Sequence, residues 1–325
     1  MKHPYLIDLN DSDNWLYGIE LFGPNGHKGE DQRTINMGEG EHRLYHVTDS
    51  VMYPRSDDSA PVFFHEHYIG YEIFFVDSGG MDLYVDDVRT YVPPGSIVHL
   101  QPFRAHAMTF RAPTKFRGFF HDLTQSDNAP ELAVLRANRP EVEKDPTFLR
   151  DFVFGSFDSG NREQPIWKEV PAEQVSAVRS IKRPMATFEL NGVTMKMITA
   201  RWENGGVTEM WAAEMDAGFH AESVDYPMDR AMFYITDGEV KFKVYDEEFT
   251  ATSECVVKLP KFACYSITAL TDAVMYDVGG QTRWYALLQD RAAILKYDRD
   301  RAKDPETLKA LKARFKCQIR TYGSK

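Results

Sequence analysis

Three histidines and one glutamate in the first third of the chain have the residue types and the spacing of a metal site. Two of the histidines stand two residues apart in PVFFHEH, the glutamate follows five residues later, and the third histidine ends GSIVHLQPFRAH. The four candidate ligands are His65, His67, Glu72 and His106. Three imidazoles and one carboxylate suit Fe, Mn, Ni, Co or Zn in the divalent state. We therefore expect the chain to bind one divalent transition-metal ion.

The local sequence predicts that short β-strands position these side chains. Between residues 43 and 122 the chain runs through short segments rich in Val, Ile, Phe and Tyr, separated by Gly, Pro and Asp, such as YEIFFVD, MDLYVDD and SIVHLQP. Residues two apart on a strand project from the same face of a sheet, so the rings of His65 and His67 are expected on one side. Regular short strands of this kind indicate an antiparallel barrel or sandwich.

An internal repeat extends the same pattern to the second half of the chain. A shift of 159 residues aligns YEIFFVDSGGMDLYVDDV with RAMFYITDGEVKFKVYDE and SIVHLQPF with CVVKLPKF, without a gap. Gly79 then falls on Gly238. The match indicates duplication of one β-domain, although chance similarity between two β-rich segments is the alternative.

The spacing of the candidate ligands resembles the first of two motifs that mark the cupin superfamily. Its family form is Gly-x5-His-x-His-x3,4-Glu-x6-Gly, and the chain matches it from His65 to Gly79. The leading glycine of the motif is absent, and Asp58 and Ala60 stand nearby instead.

The second cupin motif, Gly-x5-Pro-x-Gly-x2-His, is kept at its two ends. Gly95 and His106 have the family separation, whereas Gln101 and Phe103 stand where proline and glycine are usual. The resemblance covers both β-rich halves. It implies an all-β fold of two tandem cupin (jelly-roll) β-barrels, with short helices between them and a C-terminal helix.

The sequence divides into an N-terminal barrel with the metal site at 1–160, a second barrel at 161–290 and a helical segment at 291–325. NREQPIWKEVPAEQ has the composition of a linker, and PELAVLRANR and DPTFLRDFV before it tolerate helix. Within the helical segment at 291–325, DPETLKALKARF predicts a helix with Asp304 at its N-cap and with Leu308, Leu311 and Phe315 on one face.

The second barrel has lost the ligand set. In the 159-residue register the four ligand positions become Val224, Tyr226, Ala231 and Tyr265. The alternative is a shifted site in FHAESVD, built from His220 and Glu222 with Asp225 or Asp229. We expect the second barrel to be structural: it adds stability, and its surface is a candidate for the contacts of a homodimer.

Strand alternation predicts the surroundings of the metal. Two apolar residues share the face of Glu72 and two more share that of His106, namely Phe74, Val76, Met108 and Phe110. Such a wall favours a partly apolar or aromatic substrate. One or two of four nearby polar residues are candidates to bind substrate oxygens, although for any single one an exposed loop position or a hydrogen-bonded strand end is the more common role: Tyr71, His99, Gln101 and Arg104. His121 is expected to be structural.

Several reactions suit such a site. The metal would act as a Lewis acid, and Glu72, a ligand that can loosen, is the candidate general base. Two-barrel cupins with this ligand set resemble quercetin-type dioxygenases, which implies Fe(II) and cleavage of an enol, diketone or aromatic molecule. The alternatives are an oxygen-independent isomerase, lyase or decarboxylase of a small hydroxy or keto acid or sugar, and a metal-assisted small-molecule binding protein.

Composition narrows the classes of partner. The chain has 38 basic and 49 acidic residues and a net charge of −11, which disfavours nucleic acids and anionic membranes. No apolar leader or membrane-spanning run occurs in the sequence, and its three cysteines fit neither a disulfide framework nor a zinc ribbon. We therefore expect a cytoplasmic protein with a small-molecule substrate.

Overall fold

The computed structural model is built mainly of β-strands. It describes residues 3–11, 17–19, 31–36, 45–52, 54, 64–66, 71–102, 104–121, 153–155, 167–203, 208–225, 231–260, 263–279, 284–315 and 318–320. The described strands form four sheets, two in each of two compact units. The fold is all-β, as the sequence predicts, and consists of two tandem cupin barrels.

The two units are called here the first barrel, residues 15–180, and the second barrel, residues 1–14 and 181–325. The strands numbered along the chain up to the end of the first barrel are β1 (Leu6–Asp8), β2 (Tyr17–Ile19), β3 (Asp31–Asn36), β4 (Tyr45–Met52), β5 (Phe64–Glu66), β6 (Tyr71–Ser78), β7 (Met81–Val85), β8 (Val88–Val92), β9 (Ile97–Leu100), β10 (His106–Phe110), β11 (Thr114–His121), β12 (Val153–Gly155), β13 (Lys168–Glu169) and β14 (Val178–Arg179).

The first barrel encloses an apolar core between its two sheets. One sheet has the strand order β14-β9-β6-β11-β4-β3-β2 and the other β12-β5-β10-β7-β8-β13. Alternate residues of each strand face inward, as on β7, where Met81, Leu83 and Val85 are wholly buried in the core. The same alternation brings Phe74 of β6 and Phe110 of β10 into this core.

The second barrel repeats this construction. Its remaining strands are β15 (Ala186–Leu190), β16 (Val193–Thr199), β17 (Met210–Met215), β18 (His220–Asp225), β19 (Ala231–Asp237), β20 (Glu239–Val244), β21 (Glu247–Thr252), β22 (Cys255–Leu259), β23 (Cys264–Ala269), β24 (Ala273–Asp277) and β25 (Gln318–Arg320). Their sheets have the orders β1-β22-β19-β24-β17-β16-β15 and β21-β20-β23-β18-β25.

Strand pairing reproduces the 159-residue repeat. In the first barrel His65 lies opposite His106, and in the second Val224 lies opposite Tyr265. The pairs Glu72 with Leu100 and Ala231 with Leu259 correspond in the same way. The predicted duplication is therefore present in the tertiary structure, and chance similarity does not account for it.

Equivalent glycines end β6 and β19. Gly79 has φ +77° and Gly238 has φ +78°, a left-handed conformation that glycine adopts without strain. A Cβ atom at either position would overlap a backbone carbonyl, that of Pro113 or that of Asp272. Both hairpins therefore need glycine at this turn.

The limits of the two barrels differ from the boundary predicted after residue 160. The first barrel extends to residue 180 because β13 pairs with β8 and β14 pairs with β9. The described part of the predicted linker thus belongs to a sheet edge. Residues 1–14 belong to the second barrel because Leu6, Ile7 and Asp8 of β1 pair with β22.

Two α-helices are described in the second barrel, between β24 and β25: α1 (Trp284–Tyr297) and α2 (Pro305–Phe315). The predicted α2 is confirmed: the side chain of Asp304 accepts hydrogen bonds at 2.8 Å from both the backbone N–H and the hydroxyl of Thr307. Leu311 is buried in the second core. Helix α1, which the sequence analysis did not predict, stacks Tyr285 on Trp211 with the ring centroids 4.6 Å apart.

Neither described helix has the length and apolarity needed to cross a membrane. The stretch predicted to hold short helices between the barrels lies outside the described residues, except for Val153, which begins β12.

Candidate metal centre

Two of the four predicted ligands meet inside the first barrel. Glu72 lies on β6 and His106 begins β10, and their exposed fractions are 5% and 0%. The Nε2 atom of His106 lies 3.1 Å from Oε2 of Glu72. The two strands belong to different sheets, so barrel closure brings together residues that are 34 positions apart in the sequence.

A backbone contact occupies the other ring nitrogen of His106. Its Nδ1 atom lies 2.8 Å from the carbonyl oxygen of Arg104. The carbonyl and an ionised Glu72 carboxylate both accept hydrogen bonds. A ring that carries two protons satisfies both of them, and a ring that binds a metal ion through Nε2 keeps its proton on Nδ1 and still donates to Arg104.

This arrangement fits a cation. A lone pair and a carboxylate oxygen at this distance repel each other unless a proton or a metal ion lies between them. Metal-ligating histidines commonly donate their second N–H to a carbonyl or carboxylate, as His106 does to Arg104. Glu72 and His106 therefore present two donor atoms of the kind that bind divalent transition metals.

The other two predicted ligands are described only in part. The backbone of His65 on β5 pairs directly with that of His106. The side chain of His65 and the whole of His67 lie outside the described residues. Within the part of the chain that is described, no three His, Cys, Asp or Glu side chains are grouped to hold a metal. The four-residue set thus stays a prediction, with two members placed.

The apolar residues that alternate with the two ligands pack into the core of the first barrel. Phe74 meets Phe116 edge to face at 5.3 Å between ring centroids, and Phe110 stacks on Phe116 at 6.0 Å. Met108 packs against the same core. That these side chains also line a substrate site stays a prediction.

Two predicted substrate residues lie on the opposite face of their sheet. Tyr71 precedes Glu72 and His99 precedes Leu100, so alternation turns both away from the side of Glu72. Their rings meet edge to face at 5.6 Å. With this orientation, neither Tyr71 nor His99 faces the side of the sheet on which Glu72 lies.

His99 is fully buried, and neither ring nitrogen has a hydrogen-bond partner among the described residues. Burial, followed by the charges of Arg179 and Arg104, lowers the pKa of His99 to about 3. The ring is therefore neutral at ordinary pH. His121, expected to be structural, ends β11, where its backbone pairs with Tyr71.

Arg104 and Gln101 lie in the loop that precedes His106. The guanidinium of Arg104 donates to the carboxylate of Asp86 and, at 2.7 Å, to the hydroxyl of Ser176. Gln101 is buried, and its amide nitrogen finds no partner in the described part of the chain. Asp86 and Ser176 were not predicted, and their separations of 18 and 72 residues from Arg104 leave no local signal.

The second barrel fills the equivalent interior with apolar groups. Tyr265, in the position of His106, is buried with its ring 6.1 Å from that of Phe233. Ala231, in the position of Glu72, is also buried, and Tyr226 lies outside the described residues.

The alternative ligand His220 points outward in the second barrel. It is exposed, and its Nδ1 lies 2.9 Å from the hydroxyl of Thr268. The neighbouring Ala221 is the residue that enters the core. This placement disfavours a second site built on His220, whose proposed partner Glu222 has no described side chain.

No protein-family model matches this sequence, and no curated protein is significantly similar to it. Among solved structures, the chain resembles oxalate decarboxylases. That of Lactobacillus farciminis in a formate complex matches with a TM-score of 0.53 and 12% identity over 99% of this chain and 98% of its own. That of Bacillus subtilis, studied for its Mn(II) centres, matches with 0.52 and 14% over 98% and 89%.

A further structure of the Bacillus subtilis enzyme, at pH 4.6, matches with a TM-score of 0.51 and 13% identity over 98% of this chain and 88% of its own. All three matches span both barrels. At such identities the likeness shows the fold and carries no resemblance to quercetin-type dioxygenases in particular. The chain therefore has the two-barrel fold of oxalate decarboxylases.

Proposed function

We propose that the first barrel binds one divalent transition-metal ion through His65, His67, Glu72 and His106, and that the protein is an enzyme that uses this metal on a small molecule. The observation that carries the proposal is the buried approach of His106 Nε2 to Glu72 Oε2, with Nδ1 already donating to a carbonyl. The pairing of His65 with His106 supports it.

The chain's own groups supply binding and proton transfer. When bound, a divalent ion supplies Lewis acidity that polarises a substrate oxygen. Glu72, held among apolar neighbours, is the carboxylate available to accept a proton from a substrate C–H or O–H group. Phe74 and Met108 limit water near it and favour a substrate with an apolar portion.

Oxygen-independent lyase chemistry, with decarboxylation of a small keto or hydroxy acid as its main form, is our first candidate. It is supported by the fold shared with oxalate decarboxylases over both barrels. The Mn(II) centres of the Bacillus subtilis enzyme favour manganese over the iron that the sequence alone suggested.

Dioxygenase chemistry with Fe(II) is the second candidate. The aromatic wall of Phe74, Phe110 and Phe116 favours it, because an enol, diketone or aromatic substrate packs well against such side chains. The two candidates differ in their need for dioxygen.

Elemental analysis of the purified full-length protein tests the metal site. We expect a single Mn or Fe ion per chain, lost in His65→Ala and in His106→Ala and kept in the control His220→Ala, whose ring is exposed. Full metal content in His106→Ala would contradict the proposal.

Turnover assays then separate the reaction classes. Carbon dioxide release from small keto and hydroxy acids under anaerobic conditions supports decarboxylation, and oxygen uptake with enols or diketones supports the dioxygenase. Metal binding without turnover of either panel would contradict both enzyme assignments and favour a binding protein.

A further inference from the structure

Arg104 joins three segments of the first barrel. It lies in the loop between β9 and β10, two residues before His106. Its guanidinium donates to Ser176 Oγ at 2.7 Å and to Asp86 Oδ2. The side chain is only 18% exposed, so these charge-assisted bonds are partly shielded from solvent.

Both partners of Arg104 belong to parts of the barrel that the sheets hold in place. Asp86 follows Val85, the residue of β7 that pairs with His106. Ser176 precedes Ala177, whose carbonyl accepts the backbone N–H of His99 on β9 at 2.8 Å. The Arg104 side chain therefore connects its loop to Asp86 and Ser176, two residues that adjoin hydrogen-bonded strands.

The same residue acts on His106 through its backbone. The Arg104 carbonyl accepts the Nδ1–H of His106. A loop tied at its side chain has little freedom to rotate that carbonyl away. Without the tie, the carbonyl can rotate, water can compete for Nδ1, and the ring is free to turn Nε2 away from Glu72.

We propose that Arg104 is a positioning residue that holds the acceptor of the His106 Nδ1–H in place and so fixes the orientation in which His106 presents Nε2 to the metal. The inference rests on the proposed metal site and assigns Arg104 a role other than the substrate contact expected from sequence. Asp86 and Ser176 contribute by accepting hydrogen bonds from the Arg104 guanidinium, which holds the loop in place.

The decisive readout is the hydrogen bond from Nδ1 of His106 in the metal-free, full-length protein. Nitrogen-15 NMR of histidine-labelled protein, at a pH where the ring carries both protons, detects the Nδ1–H group and measures how fast its proton exchanges with water. The His106 signal is assigned by its loss in His106→Gln. We expect slow exchange in the wild type and faster exchange in Arg104→Met, with Arg104→Lys in between because lysine keeps the charge but not the fork of donors.

Manganese affinity is the second readout. Competition with a chelator should show about a 10- to 100-fold weaker Mn²⁺ complex in Arg104→Met, the usual effect of losing an outer partner of a metal ligand. Arg314→Met is the matched control, because Arg314 also donates to a carboxylate, that of Asp290 at 2.7 Å, but in the second barrel. It should change neither readout.

An unchanged His106 signal in Arg104→Met overturns the inference, as does unchanged Mn²⁺ affinity beside a changed signal. Should Arg104→Met not fold, Asp86→Asn replaces it, because asparagine tolerates the left-handed φ of 48° at that turn. If the wild type binds no metal, the proposed function fails, while the NMR comparison still tests the tie between Arg104 and His106.

Discussion

Glu72 and His106 are polar groups buried inside the first barrel. Burying a carboxylate or an imidazole without a partner is unfavourable by several kcal/mol, and the approach of His106 Nε2 to Glu72 Oε2 gives each group a partner. The hydrogen bond from Nδ1 to Arg104 restrains the imidazole ring and leaves Nε2 facing the carboxylate. At this scale the geometry agrees with the proposed ligand pair.

His99 shows the opposite behaviour of a buried histidine. It lies on the other face of the same sheet, with both ring nitrogens unpartnered among the described residues, and burial keeps the ring neutral. Its pKa is about 3 in the folded protein against an ordinary value of 6.5. The unfolded chain therefore binds a proton at mildly acidic pH that the folded chain does not.

We predict an acid-dependent loss of stability that originates at His99. The stabilising contribution of its neutral ring is complete above pH 6.5 and is lost as the pH falls from 6.5 toward 3. The slope reaches up to about 1.4 kcal/mol per pH unit. Urea unfolding between pH 7 and pH 4 measures it, and His99→Phe should flatten the dependence. Equal slopes in His99→Phe and the wild type would refute this origin, and exposed His220→Gln serves as the control.

At the scale of elements, the hairpins after β6 and β19 share one steric requirement. Gly79 and Gly238 combine a positive φ with close contact to a backbone carbonyl. Gly95 and Gly218 also have positive φ, at +78° and +87°, but nothing lies within 4 Å of where their Cβ would be. These four glycines separate the conformational effect from the steric one.

We predict that Gly79→Ala and Gly238→Ala destabilise more than Gly95→Ala and Gly218→Ala. The left-handed conformation alone costs roughly 1–2 kcal/mol for alanine. Overlap with the carbonyl adds roughly 1–3 kcal/mol at Gly79 and Gly238. Urea unfolding measures the free energy of unfolding of the four variants. If Gly79→Ala loses no more of it than Gly95→Ala, and Gly238→Ala no more than Gly218→Ala, the close contacts must relax and the prediction is wrong.

At the scale of the whole molecule, one strand from the amino end completes the second barrel. Strand β1 extends the sheet at β22, and Leu9 just after it is 3% exposed, with its N–H donated to the carbonyl of Glu254 at 2.9 Å. The second barrel is thus built from both ends of the chain.

We predict that Leu9→Ala destabilises the second barrel and spares the proposed metal site. Removing a buried leucine side chain usually costs about 2–5 kcal/mol. Thermal unfolding should register this loss, whereas Mn²⁺ affinity should match the wild type. Leu270→Ala, at a position 44% exposed, is the control and should have little effect. A loss of metal affinity in Leu9→Ala would contradict the assignment of residue 9 to the second barrel.

The sequence by itself determined the features that depend on local spacing. The types and spacing of the residues from His65 to His106 predicted the candidate ligands. Apolar residues at every second position predicted the strands, and the matching positions of Gly79 and Gly238 predicted the shared hairpin. The N-cap of α2 at Asp304 is likewise a local signal. Each follows from geometry within a few residues, which the order of amino acids fixes directly.

Only the tertiary structure decided what depends on distant pairing. The tie between Arg104, Asp86 and Ser176 joins segments whose separation leaves no pattern in the sequence. Strand β1 joins the second barrel through its pairing with β22, near the other end of the chain. Closure of the first barrel brings Glu72 against His106. Such contacts arise because packing, rather than chain proximity, chooses the partners of a strand or loop.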